Sequence, residues 1–280
     1  MKFRNLVLSA AAILFIASVP LAAIAAESGS DKPLSALDIM TKADNIKEPA
    51  DMISEMTMTL VDQKNNNRVR SVLTARKGKD STIMWFLSPP DEKGSSFLSI
   101  AENGQTNMWI YLPAYKKTSM ITSHGKKGVF MGSDFTFEDL EGRKLQNYTY
   151  KLLGTEKTGN YDCYKVESVP TAEYTDSGYT KVISWIWKEK FISLKDEYYN
   201  KLGVLKKIQT IDSLKEIKGY QLPAKVIMND IEKNHKTIID FTNIYVDSGI
   251  DTSIFNKRSL TRIFNRDALY KKAEPKEAAK

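Results

Sequence analysis

Cysteine and histidine are nearly missing: 280 residues contain one Cys and two His. A disulfide framework needs paired cysteines, and zinc sites draw heavily on Cys and His, so neither organises this chain. Histidine-dependent hydrolysis has little to work with, since His124 and His235 stand apart without motif partners. Neither a Gly-x-Ser-x-Gly elbow nor a His-Glu-x-x-His helix occurs, and no phosphate-binding loop is visible. With 14 Gly and 9 Pro the composition excludes collagen-like and low-complexity chains. No segment beyond the first 25 residues approaches the roughly 20 apolar residues of a membrane span. What is there is ordinary for a globular core: 42% apolar and 10% aromatic residues.

The N-terminus reads as a secretory signal peptide over residues 1–25. Lys2 and Arg4 form its basic start, Leu6 to Val19 its apolar stretch, and Pro20 breaks any helix. Ala23-Ile24-Ala25 supplies the small-x-small pattern that places cleavage after Ala25. The alternative is a retained anchor helix, which the short apolar run disfavours. No cysteine stands at the cleavage point to accept a lipid, so the exported chain is expected free of an anchor. Loss of Lys2 and Arg4 lowers the formal net charge from +7 to +5, a mild excess that suits a solvated surface or anionic headgroups. Nucleic acid is not an expected partner. Residues 26–270 read as one domain, and 271–280, rich in Lys, as a flexible tail. Cys163 is expected as a buried apolar residue of a strand.

Along the exported part a short helix comes first. Ser35 and Asp38 make a capping-box start, with Leu37, Met40 and Ala43 at helical spacing. After Pro49 the period changes to two: Met52, Met56, Met58 and Leu60 alternate with Ile53, Glu55, Thr57 and Thr59 as a long half-buried strand. Further strands are predicted at 68–76, 81–87, 95–101, 106–112, 116–122, 148–154, 161–169, 181–187, 191–199, 205–212, 222–230 and 235–246. Turn residues such as Asn65-Asn66-Asn67 and Glu102-Asn103-Gly104 separate them. A loop and short helix are expected at 133–140. An antiparallel sheet of about a dozen strands twists and curls. The predicted fold is therefore mainly β: a curved antiparallel half-barrel, a few short helices acting as a lid over an apolar cavity.

One segment is distinctive. Met108-Trp109-Ile110-Tyr111-Leu112-Pro113-Ala114 is followed by Lys116-Lys117, Ile121 and then Met131 to Leu140; upstream stand Phe86 to Pro90, Lys93-Gly94 and Phe97-Leu98. This pattern resembles the LolA-like outer-membrane lipoprotein-sorting proteins. The resemblance implies a half-barrel holding lipid or lipoprotein acyl chains in the periplasm, moving them toward the outer membrane without covalent chemistry or a cofactor. It also implies companionship with an inner-membrane transporter of the resistance-nodulation-division type and transient membrane contact. The alternatives are a non-carrier accessory protein of such a transporter, or a lipid or cell-wall hydrolase.

Candidate lipid-binding residues follow from alternation. Met52, Met56, Met58 and Leu60 form the first choice of cavity wall, and Met84, Phe86, Met108 and Ile110 the second; plain core packing is the alternative for each. Methionine is unbranched and adapts to irregular chains. Trp109 and Tyr111, with Trp185 and Trp187, are candidates for an aromatic rim, or else core and cross-strand pairs. Phe135, Phe137 and Leu140 belong to the expected lid. Lys116, Lys117, Lys126 and Lys127 could touch anionic lipid or simply be solvated. Asp134 and Glu138, four apart, would share a helix face as paired carboxylates; the alternative is that Ser133 or Asp134 caps the helix. No metal site is expected.

Overall fold

The computed structural model describes residues 33–262 and Leu269. The predicted leader (1–25) and tail (271–280) lie outside the described residues. Helix α1 (Ala36–Asp44) starts where expected: Ser35 Oγ accepts from the Asp38 N–H at 3.1 Å, and the Asp38 carboxylate accepts from the Ser35 N–H at 2.9 Å. Its buried stripe is Ala36, Ile39 and Met40, however, and Leu37 is 54% exposed. Residues 36, 39, 40 and 43 share one side at 3.6 residues per turn, while position 37 is turned about 100° away.

Thirteen strands form a single sheet: β1 (Asp51–Val61), β2 (Asn67–Lys77), β3 (Ser81–Ser88), β4 (Ser96–Glu102), β5 (Gln105–Leu112), β6 (Lys117–Ile121), β7 (Tyr148–Thr158), β8 (Tyr161–Pro170), β9 (Lys181–Trp187), β10 (Ser193–Tyr199), β11 (Leu205–Ile217), β12 (Tyr220–Asp230) and β13 (His235–Val246). The spatial order is β6-β5-β4-β3-β2-β1-β13-β12-β11-β10-β9-β8-β7. The sheet is antiparallel and unclosed, a half-barrel with β6 and β7 as its two edges.

This order has a direct consequence. The chain leaves β6 at one edge and begins β7 at the other, so residues 122–147 must cross a face of the sheet. Helix α2 (Phe137–Glu141) lies in that crossing stretch. The face it crosses, together with α1, is called the inner face below.

Register assigns each strand residue to a face. Met56 sits between Val72 and Phe241, and Met58 between Arg70 and Ile239. Met56, Met58, Leu60, Val72, Phe86, Phe97, Met108 and Ile239 therefore cluster on the inner face with Phe130, Phe135 and Phe137 of the crossing stretch. The intervening residues Ile53, Leu73, Ala75, Ile83, Trp85 and Leu98 form a second cluster on the outer face. There the chain's own residues after β13 cover them. Ile250, Ile254 and Leu260 pack on this cluster, Trp85 Nε1 donates to the Ser259 carbonyl at 3.2 Å, and Ser96 Oγ to that of Leu260 at 2.7 Å. The Asp51 carboxylate fixes the start of this cover by accepting the backbone N–H groups of Ser248, Gly249 and Ile250 at 2.7, 2.8 and 3.2 Å.

Candidate functional site

The crossing stretch docks through aromatic residues. Phe130 stands edge-on to Phe97 (centroids 5.2 Å apart) and to Phe137 (5.6 Å). Met131 and Gly132 turn the chain through positive φ at the tip, and the Phe130 N–H donates back to the Phe135 carbonyl at 2.8 Å. Helix α2 then begins at Phe137, later than the carboxylate spacing predicts. Its cap is Thr136, whose hydroxyl accepts from the Asp139 N–H while Asp139 accepts from the Thr136 N–H at 2.6 Å. Asp134 thus precedes the helix and shares no helix face with Glu138. Neither Ser133 nor Asp134 is the cap.

Three acids of this stretch hold the roof to the sheet or to a neighbouring loop. The Asp134 carboxylate accepts from Thr237 Oγ1 at 2.7 Å and lies 2.8 Å from His235 Nδ1. Glu138 accepts from Ser177 Oγ and the Gly178 N–H, both at 2.7 Å. Burial pushes its carboxyl above the ordinary range, against those two bonds. Asp139 accepts from Tyr179 Oη at 2.8 Å and pairs with Lys207. Lys207 is itself buried; burial pulls its ammonium below the ordinary lysine range against the opposing pull of Asp139. These carboxylates are occupied as fasteners.

Between roof and sheet lies a hollow of about 750 Å³. Its floor is Met52, Met56, Met58 and Met84 with Phe97, Val226, Ile239 and Phe241; Phe130, Phe135 and Leu140 roof it. Charged residues ring its mouth, among them Asp44, Glu48, Arg76, Lys79 and Lys144. That volume falls in the ~300–1,000 Å³ typical of small-molecule sites, which are mostly apolar with few polar groups.

The structure thus brings together on one wall Met52, Met56, Met58 and Met84, under Phe135 and Leu140. Leu60, Phe86, Met108 and Ile110 share the inner face without lining the hollow: they pack in the same cluster, where Phe86 meets Phe130 at 6.1 Å. Phe137 does likewise. Trp109 and Tyr111 point the other way. They pack on the outer-face cluster, with Lys257 Nζ 4.6 Å from the Trp109 ring, so they form no rim. The parity of β5 dictates this, because Met108 and Ile110 take the inner positions. Trp185 belongs to a separate cluster with Cys163 and Trp187, flanked by Lys165 and Lys195 at 4.6 and 4.1 Å. Cys163 is fully buried there. Lys126 is committed to Glu141 at 2.7 Å and to the Thr106 carbonyl at 3.0 Å.

Phe130, Val226, Ile239, Phe241, Arg143 and Lys207 were not singled out by sequence, and Phe97 only as part of the family pattern. Phe97, Phe241 and the aliphatics lie at inward strand positions that alternation marks only once the inner face is known, while Phe130 lies in the irregular crossing stretch. Arg143 and Lys207 acquire their meaning from partners 53 and 68 residues distant, which no local pattern encodes.

An unclosed antiparallel sheet of this kind is LolA-like in fold. A family model described as "-like: Uncharacterized protein" matches residues 78–262. The chain belongs to that family. It is similar to a DUF1329 family protein from Desulfovibrio piger (26% identity, TM-score 0.75, covering 80% of this chain and 97% of that one). It is also similar to a putative outer membrane lipoprotein-sorting protein domain from Vibrio parahaemolyticus (29%, 0.74, 81% and 98%). A LolA superfamily protein from Nitrosomonas europaea shares the fold at 20% identity (TM-score 0.64, 81% and 99%). No curated protein matches the chain in sequence.

Proposed function

We propose that the protein is a periplasmic carrier that shields lipid or lipoprotein acyl chains in its hollow and moves them toward the outer membrane. The observation carrying this reading is the methionine floor under a phenylalanine and leucine roof. Burying each CH₂ of an acyl chain is worth roughly 0.8 kcal/mol, so such a wall retains a chain reversibly without a polar code. Flexible methionines let one wall fit tails of different length and kink. Likeness to a putative lipoprotein-sorting domain supports the same reading, and the predicted leader supplies export.

Loading requires the roof around Phe135 to Leu140 to lift from the floor. Transient membrane contact and an inner-membrane transporter of the resistance-nodulation-division type complete the proposal, and a pull-down with that transporter tests the partner. The carrier reading itself is tested by gentle purification from the native host, extraction and lipid mass spectrometry. Co-purifying lipid is the expected result; its persistent absence would overturn the reading. The protein is not proposed as an enzyme, because Asp134, Glu138 and Asp139 are engaged in fastening the roof. Lipid hydrolysis that disappears in Asp134→Asn would reverse that view.

A further inference from the structure

A second hollow, of about 340 Å³, adjoins the first. Its own lining is mostly apolar, with Met40, Ile46, Ile186, Phe191, Ile192 and Ile211, and also includes Ser193, Gln221 and Lys47, whose ammonium lies 5.1 Å from the Tyr220 ring. Glu48, Met52, Arg76, Leu222 and Arg143 line both spaces. Arg143, just beyond α2, is therefore a cation placed where two greasy compartments meet.

Its guanidinium is half committed. Nη2 donates to Asp196 Oδ1 at 3.0 Å and to Ser184 Oγ at 3.1 Å. The buried Nη1 has no hydrogen-bond partner among the described residues. Native interiors rarely leave such a donor unmet, and a guanidinium can only donate, so what satisfies it must accept. The other cations on the shared wall and mouth are taken. Arg76 pairs with Glu48 at 3.2 Å, Lys144 with Glu141 at 3.4 Å, and Lys79 with Asp44 at 3.7 Å. The carboxylates facing the larger hollow are correspondingly neutralised, Asp139 by Lys207 and Glu141 by Lys126; Asp80, exposed, stands at the mouth.

We propose that Arg143 anchors the headgroup of a two-tailed anionic lipid, Nη1 donating to a phosphate or carboxylate oxygen while one tail occupies each hollow. This rests on the carrier reading and narrows it from hydrocarbon in general to a charged, two-chained cargo. Charge-assisted bonds from a guanidinium to phosphate or carboxylate are among the strongest available to a protein. The bond to Asp196, itself held by Ser184 and by Ser193 at 3.1 Å, fixes the fork; Nη1 is covered in this closed arrangement and is reached by the headgroup as the roof lifts.

The test compares phosphatidylglycerol, diacylglycerol and lysophosphatidylglycerol of matched chain length, each offered in micelles to the exported chain and read by native mass spectrometry. Phosphatidylglycerol is expected to bind at least tenfold tighter than either of the others. Arg143→Met should abolish the preference over diacylglycerol while diacylglycerol itself still binds. Equal binding of phosphatidylglycerol and diacylglycerol by the wild type, or a preference that survives Arg143→Met, would overturn the anchor and leave the carrier reading standing. Lysophosphatidylglycerol binding as tightly as phosphatidylglycerol would overturn the two-tail assignment. Failure of every lipid to bind would overturn the carrier reading along with it. If Arg143→Met does not fold because Asp196 is left unpaired, the double variant R143M/D196N removes both charges and should show the same loss of preference.

Discussion

On the outer face of β2 to β4, Leu73, Ile83, Trp85 and Leu98 meet the chain's own residues 250–260. On the inner face of the neighbouring strands, Met52, Met56, Met58 and Met84 border a hollow. The two faces are similarly apolar, yet one is filled and the other is roofed at a distance. The covers differ as well. The outer one is held by apolar packing, by two side-chain bonds to backbone carbonyls and, at its start, by the Asp51 carboxylate. The inner one is fastened by Asp134, Glu138, Asp139 and Lys207. Branched and aromatic side chains with few rotamers suit a fixed interior, and methionine suits a wall whose partner changes. Apolar content alone does not distinguish a core from a container.

The contrast can be broken most sharply on the filled side. Trp85→Ala removes a buried ring and its bond to Ser259, and should cost about 3–5 kcal/mol in denaturant unfolding. A loss well below that would mean the cover contributes little. Next, matched truncations on the two faces should part company. Leu98→Ala opens a new void and should cost about 2–5 kcal/mol, whereas Met84→Ala enlarges an existing one and should cost no more than about 2 kcal/mol. The converse changes, Met56→Trp and Met84→Trp, fill the hollow; lipid uptake from labelled vesicles should fall several-fold while the folded circular dichroism spectrum persists. Unchanged uptake in both would move the cargo elsewhere.

The fasteners give the inner cover a pH dependence through Glu138. Burial raises the Glu138 carboxyl above its unfolded value. The folded chain therefore holds that proton more tightly than the unfolded chain does. Its stabilising share is complete below the ordinary carboxylate range and is lost as pH rises through the raised folded value. Melting temperatures measured from pH 4 to 8 should show wild type losing ground to Glu138→Gln with increasing pH; parallel curves would refute this. The smallest effect belongs to Leu37→Ser, an exposed position off the buried stripe of α1, expected to lie within about 0.5 kcal/mol of wild type.

Much of the sheet was legible because alternation, or an apolar run bounded by turn residues, marks most strands: 181–187 and 235–246 coincide with their predicted bounds. The methionine wall was legible for the same reason, since Met52, Met56 and Met58 alternate with polar residues. Strand β5 was not, because Met108, Trp109, Ile110 and Tyr111 are apolar on both sides and parity alone cannot say which side is inward. The outer cover was hidden too, because residues 250–260 carry no periodicity and pack through two 3₁₀ turns. At α2 the Thr136-x-x-Asp139 box was present in the sequence, and reading it would have moved the helix start past Asp134. The fasteners His235 and Lys207 had no local signal, since their partners Asp134 and Asp139 lie 101 and 68 residues away in sequence and are adjacent only in the fold.

Strands β6 and β7 terminate the sheet without pairing to one another. A closed barrel has its girth set by strand number and shear, but here no seam of backbone bonds ties one flank to the other. The two flanks can hinge apart or together through small changes in twist, at the expense of contacts across the roof and none of the ladder. On the carrier reading proposed above, capacity is then elastic, and bulkier guests would be accommodated by spreading the walls instead of by breaking them.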